Sequence, residues 1–529
     1  MTYPHRTAAL ACVVILLASV GCPGAGQYKK RHRVMITDLA KGETAKAAKA
    51  AQAHLEEHPD DLESHFMLAA VHTLQGSSAE AMAHVKAAVE GGMPIERFIA
   101  GPRTIFAPLV ATDAFQRLAK GEASPLVHGP MVGSVTDTSA RFWVRTADEA
   151  DATVTVQPAE AGGGAKAVTA KGRTTAAADF TVVLEVTGLA PDTAYAYAVQ
   201  VGGRKVPTPA AAFRTFPKAG SPATFNVVFG GGAGYTPKYE HMWNTIAGRK
   251  PLALLMLGDN VYIDTPEVRQ TQRYCYYRRQ SRPEWRRLVG STAVFSIYDD
   301  HDFGTNDCVP GADIEKPPWK REVWQVFTQN WANPSYGGGP KQPGCWYTFA
   351  IGDVDFFMLD CRYYRTLKSR PPTMLGPVQK AWLKKELARS KGAFKVLASS
   401  VPWAYGSKPG SRDPWQGYKE ERKELFDFLA SRKADGVILI SADRHRSDYW
   451  KIERDGAYDL YEFESSRLSN IHTHGIMKGS IYGYNKTCSF GLLAFDTRAA
   501  DPTVTYRIVT IDGKVDHEFV LKRSQLSHR

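Results

Sequence analysis

Residues 252–260 read LALLMLGDN, an unbroken apolar run that ends abruptly in a glycine and an acidic residue. A short apolar run without polar alternation predicts a strand covered on both faces, which is typical of a parallel sheet flanked by helices. Asp259 follows this strand directly, at the place where open α/β sheets bind their ligands. The stretch therefore predicts an α/β domain with its chemistry at the carboxyl ends of the strands.

Four further apolar runs between helical stretches share this layout. They are Phe225 to Phe229 before Gly230-Gly231-Gly232, Val294 to Tyr298 before Asp299-Asp300-His301-Asp302, Asp355 to Leu359 before Asp360-Cys361-Arg362, and Val437 to Ile440 before Ser441-Ala442-Asp443-Arg444-His445. Counting the first stretch, four of the five runs carry an acidic residue where the strand ends. This recurrence favours one shared site over separate turns, although aspartate is also common in ordinary turns.

Carboxylates and imidazoles gathered at one sheet edge repel one another unless a cation neutralises them. Hard cations prefer oxygen ligands, and iron, zinc and manganese also accept imidazole nitrogen. Two such ions can hold a hydroxide and clamp a phosphoryl group for in-line attack. The residues alone therefore predict a metal centre suited to phosphoryl chemistry.

Two segments with different sequence patterns precede the α/β part. Residues 42–120 are alanine-rich and helical, and their helix–turn–helix pattern resembles about two tetratricopeptide repeats, which would need a neighbour to lean on. Such a segment serves either as a structural cap or as a docking surface for a protein partner. The sequence of residues 125–217 alternates between apolar and polar residues and contains frequent turn signals, which predicts a fibronectin-like β-sandwich. The predicted fold is thus multi-domain: a helical repeat-like segment, a β-sandwich, and an α/β domain over residues 223–525.

The first 22 residues have the pattern of a signal peptide. His5 and Arg6 precede an apolar run from Ala8 to Val20, which is too short to span a bilayer. Gly21-Cys22 then resembles a lipoprotein-type cleavage site, with Cys22 as the lipidated residue, although ordinary cleavage after Gly21 is the alternative. We therefore expect a protein secreted across the inner membrane, as a periplasmic or outer-membrane lipoprotein of the cell envelope.

Composition adds two weaker constraints. The formal net charge is +12, which favours anionic partners such as phosphate esters, nucleic acid or membrane headgroups, but many secreted proteins are simply basic. The basic residues are unclustered, which makes nucleic acid at most a substrate. Of the seven cysteines, five remain after Cys12 and Cys22 are set aside, so at least one is unpaired or pairs between chains.

Six motifs in order along the α/β part carry a family resemblance. They are Gly258-Asp259-Asn260-Val261-Tyr262, Asp299-Asp300-His301-Asp302 with Asn306, Leu359-Asp360-Cys361-Arg362, Thr373-Met374-Leu375-Gly376 with Gln379, Asp413-Pro414-Trp415-Gln416-Gly417-Tyr418, and Ser441-Ala442-Asp443-Arg444-His445. Together they resemble the PhoD-like (alkaline phosphatase D) family of metallophosphatases, within the calcineurin-like metallophosphoesterase superfamily.

The resemblance implies a role for each matching residue. The implied metal ligands are Asp259, Tyr262, Asp300, Asn306, Asp443 and His445, with calcium plus iron or another transition metal as the cofactors. His301 is the implied general acid, and Arg362 the implied phosphate-binding residue. His472 and His474 belong to none of the motifs and have no carboxylate partner in register, so they are interpreted as surface or substrate-rim residues.

The chain departs from the family at the first strand. The family has Gly-Ser-Cys there, with the cysteine thiolate on iron, whereas this chain has Gly232 in the place of the cysteine. The resemblance therefore leaves the iron site in doubt. Glycines allow close approach of the backbone to a ligand, so the loop is a candidate cradle for a phosphate oxygen.

Two functions of different classes follow from these observations. The first is extracytoplasmic hydrolysis of phosphate mono- or diesters by a metal-activated hydroxide, on a small phosphate ester or a phospholipid- or nucleotide-type substrate. The alternative is a lipid-anchored binding protein with a degenerate phosphatase domain, which only the Gly230–Gly232 loop favours. The retained acidic residues argue for the enzyme.

Overall fold

The structure is a computed structural model and describes residues 28–160, 167–208 and 211–528. The predicted signal peptide, with Cys22, lies outside the described residues. Among the residues that are described, no helix combines the length and the apolar character that a membrane crossing requires. The five described cysteines are all free thiols.

The first described part is helical and leans on the α/β part, as the short repeat array predicts. Asp61 caps its third helix by accepting a hydrogen bond from the Ser64 amide at 2.9 Å. Phe66 of that helix packs against Tyr274, with ring centroids 5.9 Å apart. The helices are α1 (Tyr28–Ala40), α2 (Thr44–Glu57), α3 (Leu62–Leu74), α4 (Ser78–Glu90), α5 (Glu96–Ala100), α6 (Arg103–Val110) and α7 (Asp113–Ala119). Helix α1 precedes the predicted start at residue 42.

The second part is made of antiparallel strands in two layers, with apolar side chains between them: the ring centroids of Phe142 and Tyr197 lie 4.8 Å apart. The strands are β1 (Leu126–Gly133), β2 (Ser139–Thr146), β3 (Asp151–Pro158), β4 (Val168–Arg173), β5 (Thr181–Thr187), β6 (Ala194–Val201), β7 (Arg204–Val206) and β8 (Ala212–Arg214). One layer contains β4-β3-β6-β7, with β8 also on β6. The other layer, β1-β2-β5, continues into a sheet of the α/β part.

The third part alternates strands and helices. Its elements are β9 (Thr224–Gly230), α8 (Met242–Gly248), β10 (Ala253–Leu257), α9 (Arg269–Gln280), α10 (Pro283–Val289), β11 (Ala293–Ile297), α11 (Asp300–Phe303), α12 (Trp319–Thr328), β12 (Tyr347–Ile351), β13 (Val354–Met358), α13 (Gly376–Arg389), β14 (Phe394–Ala398), α14 (Lys419–Ser431), β15 (Val437–Ser441), β16 (Ser447–Ile452), β17 (Leu460–Ser465), β18 (Tyr482–Tyr484), β19 (Ser489–Asp496), β20 (Thr503–Thr510) and β21 (Val515–Lys522).

Two large sheets organise these elements. The first has the order β21-β20-β19-β9-β10-β11-β1-β2-β5, and the second has the order β12-β13-β14-β15-β17-β16-β18. Strands β9, β10 and β11 are parallel, as are β13, β14, β15 and β17. The sheets pack face to face through aromatic side chains, such as Phe463 against Tyr506 with centroids 4.4 Å apart. This packing brings the carboxyl ends of parallel strands from both sheets to one edge of the molecule.

The predicted fold class holds in its coarse form, a helical part followed by sheet-rich parts. The prediction of a separate fibronectin-like sandwich is more specific. The structure differs from it because β1 pairs in parallel with β11 of the α/β part, at Gly133 and Val294. The alternation of residues 125–217 reveals strands, but it cannot reveal which strand becomes their neighbour, because that pairing is non-local.

Candidate metal centre

Carboxylates from both large sheets meet at the shared edge. Asp259 follows β10, Asp299 and Asp300 follow β11, and Asp443 follows β15, and all four are buried. Two sets of these side chains have ligand atoms within 4.8 Å of one another: Asp259, Asp300 and His301, and Asp299, Asp300 and Asp443. The structure therefore brings together residues that the strand-end pattern predicted to share a site.

The turn after β10 fixes the position of Asp259. Gly258 has φ +105°, and a Cβ there would lie 2.4 Å from the Asp299 Cβ, so only glycine fits. Asp259 itself has φ +50°, in the left-handed region that aspartate adopts more readily than most non-glycine residues. Burial raises the pKa of Asp259 well above its usual value, and Asp300 contributes to the rise. The carboxylate is thus held where its negative charge is costly unless a cation is nearby.

Tyr262 connects Asp259 to the second sheet. Its hydroxyl donates a hydrogen bond to Asp259 Oδ2 at 2.8 Å and lies 3.0 Å from His445 Nε2. It also accepts a hydrogen bond from Asn470 Nδ2 at 2.6 Å. Burial, together with the adjacent Asp259 carboxylate, raises the pKa of Tyr262 well above its usual range. Three of the predicted ligands, Asp259, Tyr262 and His445, are therefore in direct proximity.

The short helix α11 places Asp300 and His301. Asp299 and Asp302 form a reciprocal cap at its start. Asp300 accepts a hydrogen bond from the Asp307 amide at 2.6 Å. Burial acts to raise the pKa of Asp300, but the Arg362 guanidinium and His301 outweigh it and lower the pKa to about 2. Asp300 is therefore a carboxylate at neutral pH.

His301 is held by an aspartate that sequence reasoning missed. Its Nδ1 is hydrogen-bonded to Asp264, and its ring lies over Tyr262 with centroids 4.5 Å apart. Burial acts to lower the pKa of His301, but Asp259, Asp300 and Asp264 outweigh it and raise the pKa to about 10. Without bound cations, these carboxylates favour the protonated imidazole.

Arg362 pairs with neighbouring carboxylates. It is fully buried, with Nε 2.5 Å from Asp299 Oδ1 and Nη1 2.7 Å from Asp413 Oδ1. Its guanidinium is thus engaged by carboxylates behind the cleft. These ion pairs indicate that Arg362 positions Asp299, and phosphate binding by Arg362 stays a prediction without support from these contacts.

The last two predicted ligands are Asp443 and Asn306, and both line one cleft. Asp443 lies 3.5 Å from Lys408 Nζ, and both it and His445 have positive φ angles, +77° and +47°. Asn306 is exposed on the rim of the same cleft. Lys408, another residue that the sequence did not single out, also pairs with Asp307 at 2.7 Å.

The glycine loop after β9 does not present its amides to the cleft. The Gly231 amide donates to the Ser465 carbonyl at 3.0 Å, and the Gly232 amide lies 3.3 Å from the Gly258 carbonyl. The expected phosphate cradle is therefore wrong for these two amides, because backbone carbonyls already occupy them. A Cβ on Gly232 would lie 2.4 Å from the Ser466 carbonyl oxygen, so this backbone has no room for the family's cysteine.

Some of these side chains line one cleft of about 870 Å³. Its walls include Tyr262, Asp264, His301, Asn306, Asp307, Lys408, Asp443, Arg444, His445, His472 and His474, together with Lys30 from α1. Asp264 follows Asp259 in the same loop, which is the one sequence signal that could have found it. Asn470 lies in the loop after β17. The residues of β17 alternate between apolar and polar, so this strand is not one of the apolar runs whose following residues were candidates.

The catalytic part and the strand-rich part each match a known family. Residues 226–525 match the family described as PhoD-like phosphatase, and residues 123–219 match a domain of unknown function (DUF7800). Alkaline phosphatase D of Bacillus subtilis (strain 168) is 24% identical over 314 residues. That match covers 50% of this chain and 53% of the relative, so this chain spans about half the length of that curated relative.

Solved structures share the fold. One titled as the structure of PhoD superposes with a TM-score of 0.63 at 18% identity, covering 75% of this chain and 90% of that one. A purple acid phosphatase, PPD1 from yellow lupin (Lupinus luteus) seeds, superposes with a TM-score of 0.55 at 13% identity, covering 75% of each chain.

Proposed function

Because this chain belongs to the PhoD-like phosphatase family, we propose that it hydrolyses phosphate mono- or diesters in the cleft at the shared sheet edge. The observation that carries the proposal is the convergence of Asp259, Asp300 and Asp443 from three strand ends, with His301 and His445 beside them. This donor set matches the chemistry of ions that activate water and clamp phosphoryl groups.

The residues present fit bound metal ions. Asp259 Oδ1 and Asp299 Oδ2 are buried and have no hydrogen-bond partner among the described residues, although buried polar atoms are ordinarily paired. Asp259, Tyr262, Asp300, Asn306, Asp443 and His445 would hold the ions, with calcium plus iron or another transition metal as the proposed cofactors. When bound, such ions lower the pKa of water and neutralise phosphate charge.

His301 would supply the leaving-group proton. Its Nδ1 is engaged by Asp264, so its other ring nitrogen, Nε2, remains to donate to the departing alkoxide oxygen. Asp264, which is not among the proposed metal ligands, favours the protonated ring before the reaction. Asp264 then keeps the ring oriented after the proton has left, which is the role of the third group in an activated pair.

The rim of the cleft suits an anionic substrate. Lys30, Lys408 and Arg444 line it, and Lys30 is exposed to solvent. Cations around a concave site raise the local concentration of anionic ligands and speed their association. The volume of about 870 Å³ has room for a phospholipid- or nucleotide-type ester as well as for a small monoester.

The proposed location is outside the cytoplasm. The support is the signal-peptide pattern of residues 1–22, with Cys22 as the proposed lipid anchor in the cell envelope. The competing hypothesis, a binding protein with a degenerate phosphatase domain, is not favoured, because the acidic residues that a degenerate site would lose still meet in one cleft.

The direct test is substitution of single carboxylates. Asp259→Asn and Asp443→Asn should each abolish hydrolysis of p-nitrophenyl phosphate and bis(p-nitrophenyl) phosphate, because each removes a metal-ligand charge while keeping side-chain size. Asp455→Asn, an identical change at an exposed loop aspartate, is the control and should retain full activity. Wild-type turnover in either cleft variant would refute the assignment.

A further inference from the structure

Three histidines line one wall of the cleft. His445 follows β15, and His472 and His474 lie in the loop between β17 and β18. The three offer ligand nitrogens within 4.8 Å of one another. The ring centroid of His445 lies 5.3 Å from that of His472 and 5.4 Å from that of His474, and the last two are 4.6 Å apart. This spacing allows a single ion to contact all three imidazoles.

The loop that carries His472 and His474 is anchored at several points. Buried Arg467 donates hydrogen bonds to the carbonyls of Asn470 and Ile471 at 3.2 and 3.1 Å. Asn485 Nδ2 donates to the His474 carbonyl at 3.0 Å. Because the backbone on both sides of the pair is fixed, the two imidazoles are placed before any ligand arrives. Preorganised ligands bind a metal with less loss of conformational entropy.

The loop is also tied directly to His445. Thr473, which separates the two loop histidines, donates a hydrogen bond from Oγ1 to the His445 carbonyl at 3.1 Å. The negative charge of Asp259 lies close by, with its Oδ2 3.7 Å from His445 Nε2. The histidine loop is therefore tied to the His445 backbone, and the His445 ring lies beside the carboxylate centre.

We propose that His445, His472 and His474 bind a transition-metal ion through three imidazole nitrogens at the mouth of the cleft. Imidazole favours zinc, iron, nickel and copper over calcium. Three protein ligands leave a coordination position open, as in catalytic zinc sites, and the exposed side of His472 faces solvent there. The proposed role of the ion, which is to hold a phosphate oxygen of the incoming ester, rests on the proposed function. The binding of the ion to the three histidines does not.

The binding test uses zinc and requires no activity. The full-length protein is stripped with a chelator, reloaded with Zn²⁺ and desalted, and its zinc content and affinity are compared with those of His472→Ala/His474→Ala. The matched control is His65→Ala/His84→Ala, which removes another close imidazole pair, 3.0 Å apart on α3 and α4. His472→Ala/His474→Ala should lose one equivalent of zinc or bind it at least about 100-fold more weakly, because loss of the outer partners of metal ligands alone costs up to about 100-fold. The control should match the wild type.

A measurement on the wild type keeps the proposal testable if the variant misfolds. X-ray absorption on protein whose carboxylate centre is first filled with calcium and iron, and which is then loaded with one equivalent of Zn²⁺, should show a zinc first shell dominated by imidazole. Two results would overturn the three-histidine site. One is a zinc shell of oxygen atoms with at most one imidazole, and the other is unchanged zinc affinity in folded His472→Ala/His474→Ala. Neither result bears on the proposed hydrolysis, which is tested separately by Asp259→Asn and Asp443→Asn.

Discussion

At the scale of single residues, the site depends on the backbone as much as on its charged groups. Gly258 is the clearest case, since its φ of +105° and the Asp299 Cβ leave no space for a side chain. The sequence made Asp259, Asp300 and Asp443 predictable because strand ends are readable from apolar runs. For Asp264 it offered only a place in the same loop as Asp259, and it did not make Asn470 predictable, because loop conformation brings these residues to His301 and Tyr262.

Gly258→Ala should therefore inactivate the protein and lower its stability. The positive φ alone costs about 1 kcal/mol for alanine, and the clash with Asp299 adds to this cost. Gly92→Ala is the matched control, because Gly92 has φ +98° and an open surrounding. Thermal melting and ester hydrolysis measure both effects. Equal behaviour of the two variants would show that the close packing against Asp299 is unimportant.

Asp264→Asn tests the support of the proton donor. The change keeps the size of the side chain but removes the charge that orients His301, so kcat should fall on the order of 10²-fold, the lower range of general acid catalysis. KM should change little, because Asp443 and Lys408 are untouched. Steady-state kinetics separate the two constants. An unchanged kcat, or a loss confined to KM, would argue against this role.

At the scale of elements, the helical part is connected to the catalytic part through specific side chains. Arg33 of α1 donates to the Tyr262 carbonyl at 2.7 Å and forms an ion pair with Asp264. Helix pairs in residues 42–120 were predictable from their periodicity, whereas α1 was not. Helix α1 is largely polar along its sequence, and its burial depends on contacts with distant residues such as Thr271.

Glu63→Gln tests a buried connection between α3, α5 and α9. Glu63 pairs with Arg97 at 3.0 Å and accepts a hydrogen bond from Tyr274 at 2.5 Å. Removing one partner of a buried pair should lower the free energy of unfolding by about 3–5 kcal/mol at neutral pH. Chemical denaturation measures this difference, and Glu80→Gln on the exposed face of α4 is the control.

The same variant carries a pH prediction. Burial acts to raise the pKa of Glu63, but Arg97 and Arg278 outweigh it, so the pKa in the folded protein is lowered. The stabilisation is therefore fully present above the usual carboxyl pKa and is lost as pH falls through the folded value. The gap between the wild type and Glu63→Gln should shrink in acid. A gap that widens in acid would contradict the sign of this shift.

At the scale of the whole molecule, the three parts share sheets and buried contacts. Strand β1 continues the sheet of β11, and Phe66 packs on Tyr274. The order of the helical, strand-rich and α/β parts was predictable from the sequence, because apolar residues recur with different periods in helices and in strands. Their mutual arrangement was not, since sheet order and face-to-face packing depend on residues far apart in the sequence, and the predicted domain boundaries stay predictions.

This integration predicts cooperative unfolding. Calorimetry on the whole protein should give a single main transition, because unfolding the helical part would expose Phe66 and leave the Glu63–Arg97 pair incomplete. Glu63→Gln should move that whole transition to lower temperature. Two well-separated transitions, of which only one responds to Glu63→Gln, would show that the parts fold independently.

We propose that the carboxylates at the shared sheet edge hold the metal ions with which the protein hydrolyses phosphate esters. Elemental analysis of the purified protein after gentle desalting, with ester hydrolysis measured on the same sample, tests it most directly. We expect about two or more metal equivalents, including a transition metal, with hydrolysis lost on chelation and restored on metal return. Protein that binds no metal even after supplementation, and hydrolyses no phosphate ester, would contradict it.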